Sequence, residues 1–309
     1  MMQLDCVIPV HAKDFETLGF TIASIRRCCP EVRRIVIVGT CSWDGERDHD
    51  VEFVQEDADF WPFRRSDLED CGCPSGWLLQ QLLKLYAPLV LPGLGSNVLV
   101  CDADVIWFGE GSVRFLEAAT EGSAQFVATR LCTFDSGNCP PIRSAVDLHR
   151  YDKFVSAILP GLEKRRAGQE TAVCHHACLQ RDVLEDLFAR IEGDGTPFWV
   201  AFREAAKACG GRASEYELYH AFACRFFPQR VVRWMPTFAV VADAEAAMRS
   251  PPAGVTFVVA HSHLRGLSKE ELKDREGIIN GDTQAEILRL MVQGHPQELL
   301  AMISGSGML

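Results

Sequence analysis

No run of apolar residues in this 309-residue chain is long enough to cross a bilayer, so a membrane span is not expected. Basic clusters are missing too. Arg26-Arg27, Arg33-Arg34, Arg64-Arg65 and Lys164-Arg165-Arg166 are short and scattered, and the net charge is −11. Binding a nucleic-acid backbone needs a basic face, so a nucleic-acid partner is not expected. The chain passes from Met1-Met2 almost directly into an apolar run, without a charged n-region or cleavage site, and this points to a cytoplasmic protein. Among 13 cysteines there is no Cys-x-x-Cys knuckle. Cys71-Gly72-Cys73 and Cys174-His175-His176-Ala177-Cys178 have other spacings, so free thiols in a reducing compartment are expected rather than structural zinc. No internal repeat is apparent.

What is present is ordinary for a soluble globular protein: 48% hydrophobic and 24% charged residues, and a length suited to one large α/β domain or two modest ones. Leu4 to Val10 reads as a first strand. Asp14 is placed to cap a helix with its apolar stripe at Phe15, Leu18, Ile22 and Ile25, ending before Pro30. A strand at Ile35 to Val38 then makes a βαβ unit, which implies a parallel sheet. Val51 to Val54 reads as a third strand. Ser66 to Gly76 is a polar loop, and Ser75 opens a helix expected to stop before Pro88. Its narrow polar face carries Gln80, Gln81 and Lys84, which can aim an amide or a lysine at a phosphate or simply form a wet edge.

The chain is organised around Asn97 to Phe108, NVLVCDADVIWF. Val98-Leu99-Val100-Cys101 is too short for a helix and too apolar to alternate, so it reads as a strand buried on both faces. It ends in Asp102-Ala103-Asp104. Two carboxylates at the end of a buried strand are unfavourable unless something positive faces them. In open α/β sheets ligands bind at the carboxyl ends of the strands. A Mg²⁺ or Mn²⁺ ion carrying a phosphate meets both conditions, whereas a solvated turn is the bland alternative.

Beyond this centre, Gln125 to Thr129 reads as a strand followed by a long loop, and the second half reads as mainly helical. Capping boxes are expected at Asp182/Glu185 and Ser268/Glu271, and Thr196-Pro197 starts a helix that ends at Gly210-Gly211. Ser214 opens another. Val231 to Met235 and Val255 to Ala260 are late strands, and Gln284 to Val292 is a C-terminal helix. His261 ends an apolar run much as Asp102 does, so one imidazole can complete a cation site, with His263 as the fallback. Glu215 and Glu217 are both candidate bases toward a hydroxyl, but Glu217 stands three residues after Ser214 and equally suits a capping box.

These motifs, in this order, resemble the GT-A superfamily of nucleotide-sugar glycosyltransferases. The strand ending in His261 is similar to the late metal-binding histidine of glycosyltransferase family 8. Ile8-Pro9-Val10-His11, the Gly76-Trp77 helix with its paired glutamines, His175-His176 and Ser214-Glu215-Tyr216-Glu217-Leu218-Tyr219 are similar to a group of poorly characterised bacterial and viral proteins placed in the same superfamily. The resemblance implies an α/β fold, a Rossmann-like and mostly parallel sheet flanked by helices with a more helical C-terminal half. It implies one domain over residues 1–309: a nucleotide-sugar half over 1–130, an acceptor half over 131–265, and C-terminal helices over 266–309. Asp102, Asp104 and His261 would hold Mn²⁺ or Mg²⁺ on the donor diphosphate. Pro9, Val10 and His11 would lie against base and ribose, and Gln81 or Lys84 would approach phosphate or sugar. His176 and Glu215 would line the acceptor side, with Glu215, Glu217 and His176 the catalytic candidates and His175 and Asp102 also candidate substrate contacts. Family 8 ends in His-x-x-Gly-x-x-Lys-Pro-Trp; here His261-Ser262-His263-Leu264-Arg265-Gly266 stands instead, with Arg265 the candidate for the phosphate contact.

The activity implied is sugar transfer from a UDP-sugar first, or a GDP-sugar, to a hydroxyl of a glycan or small molecule. A glutamate base would favour inversion and the late histidine, by analogy, retention. Two rivals share the acidic motif. One is a haloacid-dehalogenase-like phosphatase or phosphotransferase, which usually carries the motif near its N-terminus and needs a late Gly-Asp-x-x-x-Asp. The other is a nucleotide-sugar-binding relative without turnover.

Overall fold

A computed structural model describes residues 3–41, 43, 45, 50–121, 124–132, 134–135, 151–162 and 170–262. The expected βαβ unit is there. The apolar run forms β1 (Leu4–Pro9), buried along its whole length. It is followed by α1 (Phe15–Cys28), β2 (Val32–Gly39) and β3 (Val51–Gln55). In α1 the buried stripe is Leu18, Ile22 and Ile25 together with Thr17, Thr21 and Ser24; Asp14 forms no side-chain cap, and a short 3-10 turn at Ala12–Asp14 leads in instead. Next comes α2 (Ser75–Val90), which runs through Pro88 rather than stopping before it. Pro88 lies in the last turn, where only the bond to the Lys84 carbonyl is lost and burial of Leu85, Ala87 and Pro88 holds the turn in place.

The acidic stretch begins with β4 (Asn97–Cys101), and β5 (Val105–Trp107) follows the two acids. After β6 (Leu116–Glu121), β7 (Ala124–Cys132) and β8 (Phe134–Asp135) come α3 (Asp152–Ile158) and β9 (Glu170–Thr171). Next is β10 (His176–Gln180), a strand where no strand was expected. Its residues pair antiparallel with β4, and that neighbour rather than local propensity explains it. The chain continues through α4 (Arg181–Ile191), α5 (Phe198–Ala208), α6 (Glu215–Phe226), β11 (Val231–Trp234), β12 (Phe238–Val240), α7 (Ala244–Arg249) and β13 (Phe257–Val259). Among the described residues the second half is richer in helix than the first, as expected, with β10 added to the late strands. The expected box at Asp182 does not form: α4 begins at Arg181 with Gln180 at the cap position, two residues before Asp182. His263, Arg265, the Ser268/Glu271 box and the C-terminal helices lie outside the described residues.

The main sheet has the order β10-β4-β1-β2-β3. β4, β1, β2 and β3 are parallel, and only β10 runs the other way. The chain moves outward from β1 to β3 and then returns to place β4 on the other side of β1. The sheet's topological switch point, the position where open α/β sheets take ligands, therefore lies between the ends of β1 and β4. Alternation sorts the side chains onto two cores. Val7, Val98 and Val100 face α2 and the later helices; Cys6, Ile8, Leu99 and Cys101 face α1 and the small sheet β12-β13-β5. The cysteines whose side chains are described are free thiols, most of them buried.

Candidate active site

A cavity of about 820 Å³ opens at that switch point. Pro9, Val10 and His11 line it from the end of β1, and Asp102 and Asp104 from the end of β4. Backbone bonds anchor the acidic turn from three sides. The hydroxyls of Thr17 and Thr21 on α1 donate to the Ala103 carbonyl at 3.2 and 2.9 Å. The Asp102 N–H donates to the His175 carbonyl at 2.8 Å, and the Ala260 N–H donates to the Asp104 carbonyl at 2.9 Å. The start of β10 and the end of β13 are thus tied to the two acids.

Asp102 is heavily engaged. Its Oδ1 accepts from Lys84 Nζ at 2.5 Å and from the Tyr216 hydroxyl at 3.3 Å, and its Oδ2 lies 3.0 Å from His175 Nδ1. Lys84 also donates to Glu215 Oε1 at 2.8 Å and to the Tyr216 oxygen at 3.0 Å. All three ammonium hydrogens are therefore taken by protein acceptors, and Lys84, its side chain only 2% exposed, lines the cavity while holding the acids together. Burial alone would lower its pKa, but the charges of Asp102 and Glu215 outweigh burial and raise it, so it stays an ammonium. Burial likewise works to raise Asp102, and the Lys84 charge with the His175 contact overcomes this and holds the carboxyl well below its ordinary value. Gln81 is buried between helices: its Oε1 accepts from the Glu215 N–H at 3.2 Å and its amide nitrogen reaches the Trp77 carbonyl at 3.5 Å.

Asp104 is different. Its Oδ2 lies 3.1 Å from His261 Nδ1, while its Oδ1 is buried without a hydrogen-bond partner. Ligand atoms of Asp102, Asp104 and His175 all lie within 4.8 Å of one another, and the His175 and His261 rings are 5.1 Å apart. An orphaned carboxylate oxygen, a second carboxylate and imidazole nitrogens form a donor set that suits a divalent cation.

Two of the expected site residues are not brought to this cavity. The pair His175-His176 straddles the start of β10, so the two rings point to opposite sides. His175 faces Asp102, whereas His176 is buried among Trp107, Phe115, Trp234 and Phe257, with ring centroids 4.6 to 6.0 Å away. Burial pulls its imidazole down to about 3, so it is neutral at ordinary pH. Glu217 is fully buried and accepts from the Thr171 hydroxyl at 2.8 Å and the Ala172 N–H at 3.2 Å. Ser214 caps α6 by accepting from the Glu217 N–H. Tyr216, which bonds both Lys84 and Asp102, is uncharged, and nothing in the SEYELY run marks it apart from the glutamates on either side. The Glu56-Arg65 ion pair on the cavity wall was also missed; it joins the end of β3 to the loop before α2, and no local pattern marks it.

No protein-family profile and no curated protein matches the chain. Solved structures do. One is core-mannan synthase A from Aspergillus fumigatus in its Mn/GDP form, with TM-score 0.42 and 9% identity over 77% of this chain and 76% of that one. Another is mouse xyloside xylosyltransferase 1, with TM-score 0.45 and 9% identity over 85% and 99%. A third is the galactosyltransferase LgtC in complex with donor and acceptor sugar analogues, with TM-score 0.41 and 10% identity over 92% and 94%. The chain is similar to glycosyltransferases of known structure. Among the described residues no helix is long and apolar enough to cross a membrane.

Proposed function

We propose that the chain is a metal-dependent glycosyltransferase that moves a sugar from a nucleoside-diphosphate sugar to an acceptor hydroxyl. The observation that carries this is the pair Asp102 and Asp104 opening, at the sheet's switch point, into a cavity of about 820 Å³ shared with Pro9, Val10 and His11. That volume lies within the roughly 300–1,000 Å³ of ligand clefts. Asp102 and Asp104, with imidazole help from His261, would hold Mn²⁺ or Mg²⁺. The cation, when bound, would neutralise charge on the departing diphosphate.

The chain's own groups do the rest. Pro9, Val10 and His11 offer an apolar edge and an imidazole to base and ribose; a UDP-sugar is the first candidate and a GDP-sugar the second. Lys84 keeps Asp102 ionised and holds Asp102 and Glu215 in fixed positions, so little reorganisation is needed when substrate arrives. Glu215 lines the cavity with one carboxylate oxygen on Lys84, leaving the other to accept a hydrogen bond from the acceptor hydroxyl of a glycan or small molecule. Both oxygens of Asp102 are already engaged, which makes it a poor aspartyl nucleophile and argues against the phosphatase reading.

Thermal-shift measurements with UDP and GDP, with and without Mn²⁺, followed by turnover assays on a panel of UDP- and GDP-sugars, test the proposal. Metal-dependent stabilisation by a nucleoside diphosphate and release of that diphosphate from its sugar are expected. Asp102→Ala and Asp104→Ala should each abolish release while the chain stays folded. Full activity in both variants, or hydrolysis of p-nitrophenyl phosphate in place of sugar-donor turnover, would overturn it. Nucleotide binding without turnover of any sugar donor or acceptor would favour the binding-only relative.

A further inference from the structure

Resting on the cation site just described, we propose that His175 is itself a ligand of the cation and tilts the site toward Mn²⁺ and other transition-metal dications over Mg²⁺. Four observations converge on it. The ligand atoms of His175, Asp102 and Asp104 already lie within 4.8 Å of one another. Oδ1 of Asp102 is held by the buried Lys84 and Tyr216, so the oxygen that can turn from its hydrogen bond to a cation is Oδ2, whose partner at 3.0 Å is His175 itself. Oδ1 of Asp104, the other carboxylate in that group, is buried with no hydrogen-bond partner.

The fourth observation is the backbone. His175 sits at φ 61°, in the left-handed region that a residue with a Cβ occupies only under strain. Glycine or asparagine would hold this turn with less strain. The conformation is over-determined: the His175 carbonyl accepts the Asp102 N–H, His176 next to it is locked in the aromatic core, and the ring's contact with Asp102 Oδ2 offsets the strain that a smaller residue would relieve, so the His175 ring is directed at the acids. Imidazole nitrogen suits transition-metal dications, whereas Mg²⁺ prefers an all-oxygen octahedron and keeps its waters. A nitrogen donor at this point therefore raises affinity for the first class and does little for the second.

The test is a titration of the metal-free full-length protein with Mn²⁺, following the free Mn²⁺ signal by electron paramagnetic resonance, and a competition titration with Mg²⁺. His175→Asn and His175→Gly are the variants. Both residues accept the left-handed backbone, and the asparagine amide can still donate to Asp102, so melting curves in EDTA should match the parent. Losing a ligand should lower Mn²⁺ affinity by about tenfold or more in both variants while Mg²⁺ affinity moves by less than about threefold. Parent-like Mn²⁺ affinity in His175→Asn would overturn the proposal, leaving His175 a hydrogen-bond partner of Asp102 only. Mn²⁺ and Mg²⁺ affinities falling in step would overturn it as well. Both failures leave Mn²⁺ binding by the parent intact; no Mn²⁺ binding by the parent would instead remove the cation site itself.

Discussion

Replacing His176 by phenylalanine should remove one specific component of the protein's acid sensitivity. The ring is 2% exposed, is surrounded by Trp107, Phe115, Trp234 and Phe257, and makes no hydrogen bond of good geometry through either nitrogen. Burial is the largest cause of its depressed pKa, with a backbone group of Cys174 offsetting only part, and the value falls from 6.5 to about 3. Above pH 6.5 the imidazole is neutral in both folded and unfolded chains and contributes nothing to the pH dependence. As the pH drops below that, the unfolded chain takes up a proton that the folded chain refuses until about pH 3. Stability is therefore lost as pH falls, with a limiting slope of about 1.4 kcal/mol per pH unit. Between pH 8 and pH 5 the loss due to this one residue is about 2 kcal/mol.

Urea unfolding of parent and His176→Phe at both pH values, in EDTA to keep metal out of the balance, isolates the effect because every other titrating group cancels in the comparison. The parent should lose about 2 kcal/mol more than the variant on going to pH 5. Equal losses in the two proteins would mean that the histidine titrates normally in the fold, and the account of a dry aromatic enclosure would be wrong. The same variant bears on catalysis: a ring this far from the cavity should leave turnover close to the parent's at neutral pH.

Lys84→Met leaves Asp102 and Glu215 side by side without their shared cation. Breaking such a pair costs roughly 3–5 kcal/mol, and the lower end is expected because the Asp102 side chain keeps 21% exposure. Since the folded Asp102 pKa is depressed, the stabilisation from Lys84 is present above its ordinary value of 3.8 and fades as pH falls below it, so chemical denaturation should show the deficit of the variant shrinking toward pH 3. A deficit that does not change with pH would point to lost packing rather than lost charge. Glu217→Ala removes the acceptor of the Thr171 hydroxyl hydrogen and of the Ala172 N–H and should destabilise by about 1–3 kcal/mol in urea titrations. Turnover per folded molecule should be little changed; a large drop in turnover at unchanged stability would return Glu217 to the chemistry.

Much of the scaffold was legible in the chain. The strands at Leu4–Pro9 and Asn97–Cys101 are unbroken apolar runs, and the helix at Phe15–Cys28 shows its stripe at helical spacing. The strand His176–Gln180 was not legible: two histidines and a cysteine give it no strand pattern of its own, and its conformation comes from lying against β4. The stop expected at Pro88 failed for the opposite reason, because burial of the last turn of α2 overrode a local breaker.

By itself the amino-acid order determined that two carboxylates end an interior parallel strand, because that depends only on neighbours along the chain. It could not say which histidine of an adjacent pair meets them, since a one-residue step along a strand turns the side chain to the opposite face. Nor could it reveal that the three hydrogens of Lys84 are committed to Asp102, Glu215 and Tyr216. Those partners lie up to 132 residues away along the chain, and only the packing of α2 against α6 and the end of β4 brings them within hydrogen-bonding distance.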